Sequence, residues 1–155
     1  MRDRQGVALA PSPAAWPADD TEESVLGTHL HQTAIRHLIS AINEAAALAA
    51  PEGDPPLWHA GGQTMVGGFQ HPDGSSYTTF PDVFVYPHAW DPLRGLLTVA
   101  LDGPPLLIIE VLSKETYEND LDQRHGKGYS YRAAGVREYL TLDPTGKFQP
   151  DQGEG

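Results

Sequence analysis

Between residues 28 and 51 the apolar positions Leu30, Ala34, Ile35, Leu38, Ile42, Ala45 and Ala49 recur at spacings of three and four. That period places one apolar stripe along a helix, with Thr28 where a cap belongs and Pro51 as a stop. The pattern then changes. "LWHA" and "QTMVGGF" are short, carry aromatic and β-branched residues and flank a Gly-Gly pair, which fits a hairpin or two successive strands. "QHPDGSSYT" follows with a Pro-Asp-Gly turn signal.

Two denser apolar stretches come next. "PDVFVYP" is bounded by prolines and reads as a third strand. "PLLIIEVL" is the continuous aliphatic run expected of a fourth strand covered on both faces. Between them "LLTVAL" offers a further strand that would separate the two if it paired between them. From about Tyr117 to Ala134 a polar stretch holding Leu121, Tyr129 and Tyr131 reads as a second helix stopped at Ala134-Gly135. "REYLTLDP" alternates as a last strand.

The order is helix, three or four strands, helix, strand, an α/β (α+β) arrangement. With 155 residues the chain suits one domain, spanning 21–145. Residues 1–20, rich in Pro, Ala and Asp, read as a flexible lead-in, and 146–155 as a flexible tail. No period of 20 to 50 residues repeats, which argues against a solenoid.

Composition narrows the setting. The absence of cysteine excludes disulfides and thiolate metal sites and points to an intracellular, cytoplasmic protein. No apolar run approaches the roughly 20 residues of a membrane span, and the prolines of the N-terminus do not suit a signal peptide. Ten basic residues against twenty-one acidic ones give a formal charge of −11, which repels a polyanion at long range.

Against this background Glu110 stands out, because it follows four consecutive aliphatic residues in "LLIIEVLSKE". If the third and fourth strands are antiparallel neighbours with Tyr86 near Leu106, Asp82 falls opposite Glu110. Two carboxylates so close in an apolar surround repel each other unless a cation lies between them. Oxygen ligands without cysteine favour a hard ion, Mg²⁺ or its substitute Mn²⁺. The chain rises roughly 3.3 Å per residue from Glu110 to the turn near Lys114, and a helix from Glu118 returns at about 1.5 Å per residue. Lys127 then ends level with Glu110, placed to hold or deprotonate a water or to neutralise charge on a phosphate.

"PDVFVYP", then "PPLLIIEVLSKETYENDLD", then "GKGYSYRAAGVREYLTLDP", taken in that order over residues 28 to 145, resembles the Uma two family of restriction endonucleases, a branch of the PD-(D/E)XK nuclease superfamily. The resemblance implies a restriction-endonuclease-like core, a helix, a mixed central sheet, a helix and a last strand, and a metal-dependent endonuclease, a hydrolase of phosphodiester bonds. It implies Asp82 and Glu110 as metal ligands and Lys127, four residues before Tyr131, as the catalytic lysine. The superfamily lysine normally stands two residues after the glutamate, where this chain has Leu112. Asp120 corresponds to the family's helical aspartate, with Asp122 or Arg124 as substitutes, because the chain is longer here than the common form. His31 matches the His-bearing start of the first helix and is an accessory candidate.

Simpler roles compete for several of these residues. Asp120 and Asp122 also suit a helix N-terminal end. His29 and His31 are two apart on a helix and face different ways, so they make a poor metal pair. "HGKGYS" lacks the first glycine and the final hydroxyl of a phosphate loop. Tyr129, Tyr131 and Tyr139 are expected in packing roles. The expected partner is DNA, bound by a homodimer in which Arg36, Arg124, Lys127 and Arg132 form a local positive cleft. The rival reading is a catalytically inactive nuclease-like module for binding or regulation.

Overall fold

The computed structural model describes residues 21–114 and 116–147. The expected flexible segment 1–20 and, except for Gly146 and Lys147, the expected tail 146–155 lie outside the described residues. The elements are α1 (Thr21–Ala49), β1 (His59–Gly61), β2 (Met65–Gln70), β3 (Ser76–Thr79), β4 (Val83–Tyr86) and β5 (Leu96–Thr98). They continue with α2 (Val99–Asp102), β6 (Leu107–Val111), α3 (Tyr117–Leu121), α4 (Lys127–Ala133) and β7 (Glu138–Leu142).

The first helix starts seven residues before the expected cap, so Thr28 is an interior position. The nearest upstream proline is Pro17, and the lone Gly27 costs a helix only about 1 kcal/mol. Nothing in the sequence between them forces a start at Thr28.

The strands form two sheets. One has the order β1-β4-β6-β7, antiparallel except for the parallel β6–β7 pair, and the other has the order β3-β2-β5. Strands β1 and β2 therefore belong to different sheets and are successive strands rather than a hairpin. The hairpin is β2–β3, turned at Pro72-Asp73-Gly74, where Asp73 Oδ1 accepts from the Ser75 amide at 2.9 Å and from its hydroxyl at 2.6 Å. Strand β3, "SYTT", was hidden in the sequence because its alternation is between exposed and half-buried polar residues.

"LLTVAL" supplies β5 and α2, and β5 pairs in parallel with β2 in the smaller sheet. It does not separate β4 from β6. Their register is Val83↔Ile109, Phe84↔Ile108 and Val85↔Leu107, the one that pairing Tyr86 near Leu106 requires.

The expected helix from Tyr117 to Ala134 is broken into α3 and α4. Asp122 leaves the helix at ψ 105°, and its carboxylate accepts from the amides of Arg124 at 2.8 Å and His125 at 2.9 Å. A side chain reaching its own backbone two or three residues on offers the chain an alternative to the helical ladder. Gly126 then passes so near the Asn119 carbonyl that a Cβ there would clash with backbone, which only glycine avoids.

The larger sheet is covered on both faces. Ile35 of α1 packs with Val83, Ile109 and Val111 on one face. Phe84, Tyr86 and Ile108 on the other face join Val66, Phe69 and Leu97 of the smaller sheet and Tyr131 of α4. The double cover explains the unbroken aliphatic reading of β6, four of whose five residues are buried.

Candidate active site

Extending the β4–β6 register by one pair brings Asp82 opposite Glu110. Alternation along the strands puts both on the face of Phe84 and Ile108, toward α4. The contacts agree. Glu110 Oε2 lies 3.4 Å from the Asp82 amide, and Asp82 Oδ2 accepts from the Val111 amide at 2.8 Å. Gly62, on the link from β1 to β2, crosses so close to the Asp82 carbonyl that any Cβ would overlap it.

The other half of the site comes from α3 and α4. Lys127, the first residue of α4, places Nζ 3.2 Å from Glu110 Oε1 and 2.7 Å from Asp120 Oδ1. One helical turn later Tyr131 donates its hydroxyl to Glu110 Oε1 at 2.6 Å. Asp120 is 1% exposed and Glu110 also 1%. Thr116 donates to Asp120 Oδ2 at 2.7 Å, and Tyr139 of β7 donates to the Asp120 carbonyl at 2.7 Å. Among the described residues no group other than the Lys127 ammonium meets Asp120 Oδ1, so that oxygen depends on the ammonium for its partner.

The electrostatics follow from the burial. Loss of solvent pushes the Glu110 carboxyl up to about 7, reinforced by the charges of Asp82 and Asp120 and opposed by Lys127 and the Tyr131 hydroxyl. Burial works against the Lys127 ammonium, but Glu110 and Asp120 more than offset it, so the amine is held above its usual range. Burial raises the Tyr131 phenol, and the Glu110 charge raises it further. Tyr131 is a hydrogen donor to Glu110, never an anion beside it.

The accessory candidates separate. His31, on α1, reaches Asp82 Oδ1 with Nε2 at 3.4 Å. Its hydrogen bond to Asp82 raises its pKa against the cost of burial, and the Asp82, Glu110 and Asp120 charges add to the rise. Asp120 lies inside the cluster. Asp122 instead turns into the α3–α4 connection, and its side-chain partners are there. Arg124 and Arg132 are exposed, and Arg132 donates to Gln123 at 3.3 Å. Leu112, the residue after β6, is buried.

Sequence reasoning missed Thr116, Tyr131 and Tyr139 as site-supporting residues, treating the tyrosines as packing. They do pack, with the Tyr131 ring 5.1 Å from that of Tyr139 and 4.9 Å from that of Phe69. A signal existed for two of them. Lys127 with Tyr131 and Thr116 with Asp120 are i,i+4 pairs, which share a helix face.

The donor chemistry suits a hard divalent cation. Asp82 and Glu110 each have one oxygen tied by a short hydrogen bond, Oδ2 to Val111 and Oε1 to Tyr131. Their other oxygens have only 3.4 Å contacts, with His31 and with the Asp82 amide. Among the described residues no group of three His, Asp or Glu side chains is arranged around a common metal position. Two carboxylates, with water and substrate oxygens for the rest, is the usual protein share of a Mg²⁺ site.

A mixed sheet between α1 and α4, with facing acids where β4 begins and β6 nears its end, is a restriction-endonuclease-like fold. The model of the Uma2 family, described as putative restriction endonuclease, matches residues 21–148, and the chain belongs to that family. Proteins of this class generally use divalent metals, and nucleic acid is the substrate class that a nuclease family implies. Neither the curated proteins nor the solved structures contain a match to the chain. No helix among the described residues is long and apolar enough to cross a membrane.

Proposed function

We propose that the chain hydrolyses DNA phosphodiester bonds with Mg²⁺, or Mn²⁺ in its place, held by Asp82 and Glu110. The observation that carries this reading is the facing pair on β4 and β6, each acid with one anchored and one loosely held oxygen. Bound there, the ion would supply Lewis acidity toward the scissile phosphate.

The chain's own groups do the rest. Val111 and Tyr131 fix the two carboxylates, so little reordering accompanies binding. Lys127 is held charged by Glu110 and Asp120, which suits it to orient the attacking water and to stabilise negative charge on the phosphate rather than to take up a proton. The lysine thus works from α4, not from β6. A homodimer that brings Arg36, Arg124 and Arg132 of two copies beside the site would offset the acidic balance of the chain.

The test is plasmid cleavage with and without Mg²⁺, using the wild type, Glu110→Ala and Lys127→Ala. Cation-dependent nicking by the wild type and its loss in both variants is the expected result. The charge of −11 favours a second reading, an inactive nuclease-like binding module. Absence of cleavage by the wild type with either ion would select it.

A further inference from the structure

We infer that Asp120, fixed by Thr116 and Tyr139, is a positioning residue that keeps the Lys127 ammonium in place when a divalent cation enters beside Glu110. The inference rests on the metal-site reading above and assigns Asp120 to the lysine rather than to the ion.

The argument begins with charge. In the structure Lys127 shares Glu110 Oε1 with the Tyr131 hydroxyl, at 3.2 Å and 2.6 Å respectively. A dication drawn to Glu110 would claim much of that carboxylate's charge and would also repel the ammonium. A lysine with Glu110 as its sole counter-charge would be driven out. Asp120 supplies the second counter-charge, and at 2.7 Å it is the nearer one.

Its own setting fits that task. Asp120 is 1% exposed, too deep to serve as an ordinary solvated carboxylate. Its Oδ2 is engaged by Thr116, its carbonyl by Tyr139, and among the described residues its Oδ1 meets the ammonium alone. The geometry also explains why the clamp is needed. A lysine two residues after Glu110, directly past the end of β6 where the backbone still bonds to Leu142, would be held by the sheet, whereas Lys127 opens a seven-residue helix after the irregular connection 122–126. Asp120 on the preceding helix, with Thr116 just before that helix, ties the ammonium back across that connection.

Amine labelling read by mass spectrometry tests this, because the chain has three lysines and Lys114 and Lys147 are exposed internal references. Labelling with acetic anhydride is compared with and without Mg²⁺ in the wild type, Asp120→Asn and Thr116→Ala. Cation binding and thermal melting are followed in parallel. In the wild type Lys127 should label about tenfold more slowly than the references in both states. In Asp120→Asn, Mg²⁺ should raise Lys127 labelling several-fold while the references stay constant, and Thr116→Ala should shift in the same direction by less.

Equal Lys127 protection in wild type and folded Asp120→Asn with Mg²⁺ bound overturns the clamp and leaves the metal site standing. Absence of any Mg²⁺ binding heat in the wild type overturns the metal reading, and the clamp with it. Should Asp120→Asn fail to fold, unchanged labelling in Thr116→Ala with Mg²⁺ bound overturns the clamp.

Discussion

Two clusters of opposite charge lie at different places in this fold, and they are built differently. Around α2, Arg94 meets the carboxylate of Asp102 through its two terminal guanidinium nitrogens, at 2.7 and 3.0 Å. The Thr98 amide adds a third donor at 2.8 Å. One positive and one negative group cancel, the Arg94 hydrogen bond holds the Asp102 carboxyl below its usual range, and the Arg94 side chain is 39% exposed. Around β6, three carboxylates, Asp82, Glu110 and Asp120, share Lys127 and the half-buried His31. The first cluster is neutral and tethers a loop. The second sets three carboxylates against two basic side chains, and it is this imbalance that the proposed cation would relieve.

The largest effect that would sharpen this contrast is on cleavage. Glu110→Ala should lower the cation-dependent rate ~1,000-fold or more, since several kcal/mol of transition-state stabilisation accompanies the ion. Gel-resolved nicking rates measure it. Lys127→Ala should slow cleavage ~100-fold or more. It should also cost about 3 kcal/mol of stability, because buried Glu110 and Asp120 lose their ammonium, and urea unfolding reads that cost.

Tyr131→Phe is a smaller perturbation. It removes the 2.6 Å donor to Glu110 and should weaken Mg²⁺ binding about tenfold, with a stability loss of about 1 to 2 kcal/mol. Acidity offers a fourth check. The folded Glu110 carboxyl is raised from 4.5 to about 7, so between those values the native state binds more protons than the unfolded chain. Its contribution to stability is therefore full below about 4.5 and declines as pH rises through 7. Glu110→Gln should abolish that slope in pH-dependent melting, and wild-type Mg²⁺ affinity should rise across the same interval. Arg94→Ala should have the least effect, a slight drop in melting temperature with cleavage and cation binding unchanged. A large effect of Arg94→Ala on cleavage would break the distinction between the clusters.

The two halves of the site differed in how readable they were. Asp82 and Glu110 could be paired from the chain because β4 and β6 are short, dense apolar runs whose antiparallel register follows from counting. Both faces of β6 are covered, so its aliphatic run was unambiguous. The Lys127 half rested on a straight helix that does not exist. Lys127 still ends beside Glu110, because the break at Asp122 and the passage of Gly126 past Asn119 return the chain there by another path. That path depends on side-chain-to-backbone bonds and on a close approach, neither of which leaves a periodic trace. Strand β3 was likewise obscured, since a polar edge strand lacks the apolar alternation that marks the others. The supporting hydroxyls of Thr116 and Tyr139 depend on the tertiary meeting of α3 with β7, which no local pattern encodes.

Titration calorimetry of Mg²⁺ into the wild type, Asp82→Ala and Arg94→Ala is the most direct test that the facing acids of β4 and β6 share one hard ion. The account predicts a single-site heat in the wild type and in Arg94→Ala, and none in Asp82→Ala. Equal heats in all three proteins, or none in the wild type, would contradict it.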